Sequence, residues 1–137
     1  MVKTSNIYIG KRKTAIAKTQ IKNGSGSVRI NGVPIEIHMP LIARERILTA
    51  LLLAKETSTK YDLDVKVIGG GYMGQAEATT ISIVRALIGF SKNKKLSNLY
   101  SNFDRSLLVG DPRRTEKKKF GGPGPRRRKQ KSYRRKW

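Results

Sequence analysis

One stretch of the sequence has the spacing of a known chemical device. Gly69-Gly70-Gly71-Tyr72-Met73-Gly74 satisfies G-x-G-x-x-G, which between a strand and a helix lets a backbone approach a pyrophosphate. An alternating apolar run, Leu63 to Ile68, precedes it, and a helical pattern follows from Gln75 to Phe90. The acidic partner expected about 20 residues later is missing. That region reads Ser91-Lys92-Asn93-Lys94-Lys95, and no further strand completes a dinucleotide-binding unit. The segment therefore reads as a tight strand-to-helix turn in which glycine lets backbones pass closely. Free N–H groups at a helix start can also hold an RNA phosphate, which keeps the same physics with a different ligand.

Other chemistry is scarce. His38 is the single histidine, and with no cysteine and only scattered carboxylates it has no partners for a metal site or a triad. Glu36, Glu45, Glu56, Asp62, Asp64, Glu77 and Asp104 form no recognisable acid–base pair; Asp62 and Asp64 read as solvated carboxylates or partners of nearby lysines. The expectation is a protein without catalysis, metal, cofactor or small-molecule substrate.

What the chain supplies in quantity is positive charge. Thirty Lys/Arg stand against nine Asp/Glu, for a formal net charge of +21. From Asp111 onward 13 Lys/Arg face two acids, and the first 110 residues are themselves net +10. Charge spread over body and tail calls for a polyanion that touches several faces. An acidic membrane is disfavoured, because no basic stretch carries an amphipathic apolar face and no run reaches ~18 apolar residues. Phe120, Tyr133 and Trp137 punctuate the basic tail. Unpaired bases stack on such rings, which tilts the choice from duplex DNA toward structured RNA. A DNA-architectural protein is the alternative. Met1-Val2-Lys3-Thr4-Ser5-Asn6 lacks an apolar signal core, so a cytoplasmic location is expected.

The elements that must position these charges can be read from periodicity. Ile7-Tyr8-Ile9, Thr14 to Lys22, Ser27 to Ile30 and Val33 to Ile37 read as strands separated by turn signals, giving a β-meander. Pro40 opens a helix through Leu52, then come the strand Leu63 to Ile68, the helix Gln75 to Phe90, and a weaker helix Lys94 to Phe103. The expected fold class is α+β: a two-layer β-β-β-α-β-α body with one mainly four-stranded mixed sheet and two to three helices. The body spans residues 1–110 and an extended basic tail spans 111–137. One sheet face is left bare and serves as an RNA surface. In the absence of RNA the chain is expected to be folded from about Ile7 to Val109 and disordered from about Thr115.

The basic residues placed to face outward on the body are Lys11, Arg12 and Lys13 at a strand junction, Lys18, Arg29, and Arg113 and Arg114 after the core. In the tail, Lys117, Lys118, Lys119, Arg126, Arg127 and Arg128 flank the joint Gly121-Gly122-Pro123-Gly124-Pro125. All are expected to contact RNA phosphate.

Several short strings, in order and spanning about Gly10 to Arg134, resemble the small-subunit ribosomal protein nine family. They are Gly10-Lys11-Arg12-Lys13-Thr14-Ala15-Ile16-Ala17, Asn31-Gly32, Gly69-Gly70-Gly71, Gly74-Gln75-Ala76 and Arg85-Ala86-Leu87. They continue with Asp111-Pro112-Arg113-Arg114, Glu116-Lys117-Lys118-Lys119-Phe120-Gly121 and Lys131-Ser132-Tyr133-Arg134. The Gly/Pro joint and the Lys-Ser-Tyr-Arg string are similar to the archaeal and eukaryotic branch rather than the bacterial one, and the short length without a transit-type N-terminus points to the archaeal form. The resemblance implies a body bound to small-subunit ribosomal RNA in the subunit head, beside neighbouring ribosomal proteins. It also implies a left-handed β-α-β crossover, against the usual right-handed preference. Lastly it implies a tail reaching peptidyl-site transfer RNA, with Lys129, Lys131, Ser132, Tyr133 and Arg134 as the contacting residues. Relatives of this type usually stop at that arginine, whereas this chain continues with Arg135-Lys136-Trp137.

Overall fold

The computed structural model describes residues 6–134. Strands β1 (Ile7–Arg12) and β2 (Ala15–Asn23) form an antiparallel hairpin across the two-residue turn Lys13-Thr14. In β2, Ala15, Ala17, Thr19 and Ile21 are buried while Ile16, Lys18 and Lys22 are exposed, the period-two signature of a sheet with one covered face. Strands β3 (Val28–Ile30), β4 (Val33–Pro34) and β5 (Tyr61–Ile68) complete a mixed sheet in the order β1-β2-β5-β3-β4.

This order corrects two expectations. The sheet has five strands rather than four, and the N-terminal third is not a meander, because β5 lies between β2 and β3. The β5 strand is antiparallel to β2 and parallel to β3. With Leu63, Val65 and Val67 almost wholly buried, a central place suits it. The loop from β2 to β3 must therefore cross the end of β5, and Asp62 holds it there. Its Oδ1 accepts from the backbone N–H of Ser25 (2.9 Å), Gly26 (3.1 Å) and Ser27 (2.9 Å). The expected strand Val33 to Ile37 is cut short, since Pro34 has no N–H to donate and Ile35–Ile37 curl into a 3-10 turn.

The helices are α1 (Leu41–Leu53), α2 (Lys55–Ser58), α3 (Tyr72–Ser91), α4 (Lys94–Phe103) and α5 (Ser106–Val109). The α3 helix begins three residues before Gln75, taking in Gly74, and lies across β1 and β2 at very close range. Small residues permit that approach. A Cβ on Gly10 would meet the Ala78 carbonyl oxygen and come within 2.6 Å of the Ser82 amide nitrogen. Thr19 and Ser82, both fully buried, satisfy one another through a 2.7 Å hydroxyl contact. The α4 helix starts at Asn93, whose side chain accepts from the Lys95 amide. It is fastened to α1 by the buried Tyr100, whose hydroxyl donates to the Ala50 carbonyl at 2.6 Å; burial pushes its phenol pKa well up. Ile47, Leu63, Ile83 and Leu87 are at most 1% exposed, and each such side chain contributes about 1.5–3 kcal/mol of burial. No helix among the described residues is long and apolar enough to cross a membrane.

Candidate nucleic-acid interface

The tail leaves the body at a point that the chain builds with care. Asp111 makes an isolated parallel bridge with Arg12, adding one rung to the β1 edge. Arg85 reaches from α3 to the same place. Its Nη1 donates to the Ile9 carbonyl (2.9 Å), its Nε and Nη2 to the Leu108 carbonyl (3.1 and 2.9 Å), and its Nη2 also to Val109 (3.0 Å). The guanidinium thus closes the C-terminal end of α5 and ties it to β1. The carbonyls at a helix end have no intrahelical partner, so a cation is favoured there.

Around this junction lies a cavity of about 610 Å³ lined by Lys11, Lys13 and Arg114 together with Ile9, Arg85, Val109, Gly110, Asp111 and Pro112. Lys11, Lys13 and Arg114 are exposed and form no ion pair among the described residues. Three unneutralised cations around a concave opening give it a positive potential that attracts anions.

Arg12 has a different role from its neighbours. Pleat alternation turns it to the covered side with Gly10, and its side chain is only 14% exposed. Its Nε donates to Glu77 at 2.5 Å. Its Nη1 lies 2.6 Å from Asp111 Oδ2 but off the line of a hydrogen bond, so that contact is ionic. Asp111 also receives the Arg113 side chain (Nη2 at 2.6 Å) and the Arg113 amide. These bonds from Arg113, with the charge of Arg12 added, hold the Asp111 carboxyl well below the usual carboxylate range. A neighbouring cavity of about 360 Å³ is lined by Arg12, Arg46 and Arg113 but also by Glu77, Asp104 and Asp111. Its charges cancel, so it has no net attraction for phosphate.

The bare sheet face expected from the sequence exists. Strand register sets its rows: Lys11 beside Ile16 and Ile68, Ile9 beside Lys18 and Lys66, and Ile7 beside Gln20, Asp64 and Arg29. Lys18 and Lys66 sit directly opposite one another, and like charges so placed repel until an anion comes between them. Arg29 instead faces Asp64 across the β3–β5 pair. Lys66 was missed at the sequence level; its alternation with Val65 and Val67 was the signal. Arg85 was visible only as part of a motif, with nothing in the sequence to show its four hydrogen bonds.

The Gly69–Gly74 segment is the tight turn expected. Gly69 has φ +79°, and a Cβ there would come within 2.7 Å of the Thr14 carbonyl oxygen. Gly70 packs beside Ala15, so two motifs far apart in sequence, Gly10–Lys13 and Gly69–Gly74, meet at one edge. The first turn of α3 has no side-chain cap.

Beyond Pro112 the described tail contains neither helix nor strand, and nearly all of it is exposed. It doubles back at 120–126. Arg126 pairs with Glu116 through two bonds of 2.9 and 2.5 Å, and the Lys129 amide reaches the Gly121 carbonyl at 3.4 Å. Lys117, Lys118, Lys119, Arg127, Arg128, Lys129, Lys131, Ser132, Tyr133 and Arg134 are exposed. Arg135, Lys136 and Trp137 lie outside the described residues. No group of three or more metal-ligating side chains occurs among the described residues.

Comparison with known proteins gives this geometry a family. Residues 10–134 match the family described as ribosomal protein S9/S16. The chain is 46% identical over 125 residues to the small ribosomal subunit protein uS9 of Methanothrix thermoacetophila, covering 91% of this chain and 95% of that protein. It is 48% identical over 128 residues to the protein of the same name from Pyrobaculum aerophilum (93% and 90% covered). For the one from Thermoplasma acidophilum it is 44% over 128 residues (93% and 99%). With the match running from the strand junction through the Lys-Ser-Tyr-Arg string, the chain belongs to the ribosomal protein S9/S16 family.

Proposed function

We propose that the body docks on small-subunit ribosomal RNA through the junction cavity and the bare sheet face, and that the tail carries on through RNA to peptidyl-site transfer RNA. As a member of its family the chain is a structural protein of the small ribosomal subunit and not an enzyme. The observation that supports the docking mode is the ring of free cations, Lys11, Lys13 and Arg114, at the place where the tail departs. Lys18 and Lys66 extend it over the sheet. Arg12 is left out of the phosphate set because its charge is already matched inside the protein. Lys117–Lys119 and Arg126–Arg128 continue the basic track, and the uncapped start of α3 offers N–H groups to a phosphate at its border.

For the tail, reach, charge and polarity all support the reading. From Lys117 to Arg134 an extended chain spans about 60 Å at ~3.3 Å per residue. Lys129, Lys131 and Arg134 meet phosphates, while Ser132 and Tyr133 position a backbone without reading bases. Free in solution the tail is disordered from about Thr115, and phosphate contacts offset an ordering cost of about 1–2 kcal/mol per residue. The same family reading makes the β3–α1–β5 crossover left-handed and the neighbours proteins of the subunit head.

Truncation before Lys129 is the test. Subunits should assemble and withstand a high-salt wash, with weakened binding of transfer RNA in the peptidyl site. If truncation abolished assembly yet left transfer RNA affinity intact, the tail would be an assembly anchor. Equal affinity for ribosomal RNA and random duplex DNA would favour a DNA-architectural role.

A further inference from the structure

From Ile30 to Ala43 the chain runs 14 residues without a lysine or arginine, in a protein that carries 30 of them in 137. The one longer gap, Val67 to Val84, is explained by the buried α3. Most of the shorter gap is not buried, Ile30, Ile35 and Ala43 apart. Ile37 is 67% exposed, Met39 75%, Ile42 64% and Leu41 49%, with Val33 beside them at 39%. These five apolar side chains fall within ten residues, from β4 through the 3-10 turn to the first turn of α1. Their only charged companion in the segment, Glu36, is exposed. Arg44, just beyond, bends back so that its Nη1 donates to the Glu36 carbonyl at 2.7 Å, which holds the turn in shape.

The contrast with the bare sheet face decides what could cover this surface. On the sheet, Ile9, Ile16 and Ile68 each have a lysine in the same row. Here the cation at the turn, Arg44, is already tied to the Glu36 carbonyl, and a phosphate would meet the Glu36 carboxylate. RNA has little to gain on such a surface. A second copy of the chain is opposed by the repulsion of two chains each carrying a formal +21. A protein with an apolar contact and a Lys or Arg aimed at Glu36 fits both features, because apolar burial drives association and the opposed charge sets register.

We infer that Val33–Ile42 is the docking surface for another protein of the small subunit, one that presents apolar side chains and a Lys or Arg to Glu36, so that one edge of the molecule binds protein while the sheet and tail bind RNA. This rests on the ribosomal reading above, and the experiment separates the two. The full chain carrying Ile37→benzoylphenylalanine, or in a second sample Met39→benzoylphenylalanine, is assembled into small subunits and irradiated. The expected product resists ribonuclease and contains a second subunit protein, joined near a lysine or arginine. The same photoprobe at Lys18 should give a ribonuclease-sensitive product. Crosslinks from Ile37 and Met39 to RNA or to a second copy, or none at all, would overturn the inference. A double Ile37→Asp, Met39→Asp variant gives an independent readout. Its RNA affinity in isolation should stay within about twofold of wild type, while it leaves assembled subunits at lower salt. Retention equal to wild type would overturn the proposal. If the wild-type chain itself failed to enter subunits, the ribosomal reading would fall instead.

Discussion

Replacing Arg85 by methionine tests whether the exit of the tail is built by the body. The change keeps most of the aliphatic stem and removes four hydrogen bonds to three carbonyls: Ile9 on β1, and Leu108 and Val109 at the end of α5. Bonds from a charged donor contribute about 1.5–3 kcal/mol each when buried. Arg85 is only half-buried, and the freed carbonyls can turn to water, so the bonds do not add in full. Counting one low-end contribution on the β1 side and one on the α5 side gives a loss of about 3 kcal/mol. For a domain of this size that lowers Tm by roughly 10 °C. Denaturant unfolding reads the first figure and calorimetry the second. Amide exchange should quicken at Val109 and Gly110, whose N–H groups bond the Arg105 and Ser106 carbonyls. Arg85→Lys separates geometry from charge. An ammonium keeps the charge but cannot span three carbonyls, so most of the loss should persist. If both variants unfolded within about 0.5 kcal/mol of wild type, with exchange at Gly110 unchanged, Arg85 would not be the anchor described here.

Replacing Lys11, Lys13 and Arg114 together by alanine should lower the slope of log RNA affinity against log salt by about 2–3, read by filter binding; an unchanged slope would mean that these cations meet no phosphate. Arg12→Met should behave oppositely, costing stability through the stranded Glu77 and Asp111 while leaving that slope nearly intact. Gly10→Ala forces a methyl against the Ala78 and Ser82 backbone and should destabilise by about 3 kcal/mol or more, with normal unfolding as the contrary result. The carboxyl of Asp62 is held below its ordinary value, foremost by the Ser27 amide. Because the folded pKa is the lower one, its contribution is complete above the ordinary ~3.9 and is lost as pH falls through the folded value. Carboxyl chemical shifts of Asp62 should move in step with the Ser25–Ser27 amides, and independent titration would disprove the link.

How much of this was legible depends on the range of the interaction. Strand and helix identity came through because burial repeats every two or 3.6 residues, as in Leu63, Val65 and Val67, or in Ala76, Ile83 and Leu87. Strand neighbours did not, since β5 enters between β2 and β3 by a choice that depends on Asp62 catching a loop some 36 residues away in sequence. Among the cations, abundance hid function. Arg12 looks like Lys11 and Lys13 in composition, and only pleat parity with the buried Gly10 separates it from them. The bare face was anticipated as a class of surface, but its rows needed register. Arg85 could not be found at all from spacing, because its partners are carbonyls, which every residue has.

The placement of β5 also governs the order in which this molecule can fold. The β1–β2 hairpin closes over a short loop and needs nothing further along the chain. Both β2 and β3 must wait for residues 61–68 before either gains its inner neighbour. Until then, β2 with Ala15, Ala17 and Ile21 and β3 with Val28 and Ile30 each keep an inner edge without its partner, and a partial chain exposes a sticky, unpaired edge. Pairing of β2 with β5 closes a longer loop than pairing of β3 with β5 and is the slower step. Among the described residues, the basic tail enters none of these contacts apart from Asp111. Collapse of the body therefore proceeds without gathering the tail's positive charges together, and those charges remain available when RNA arrives.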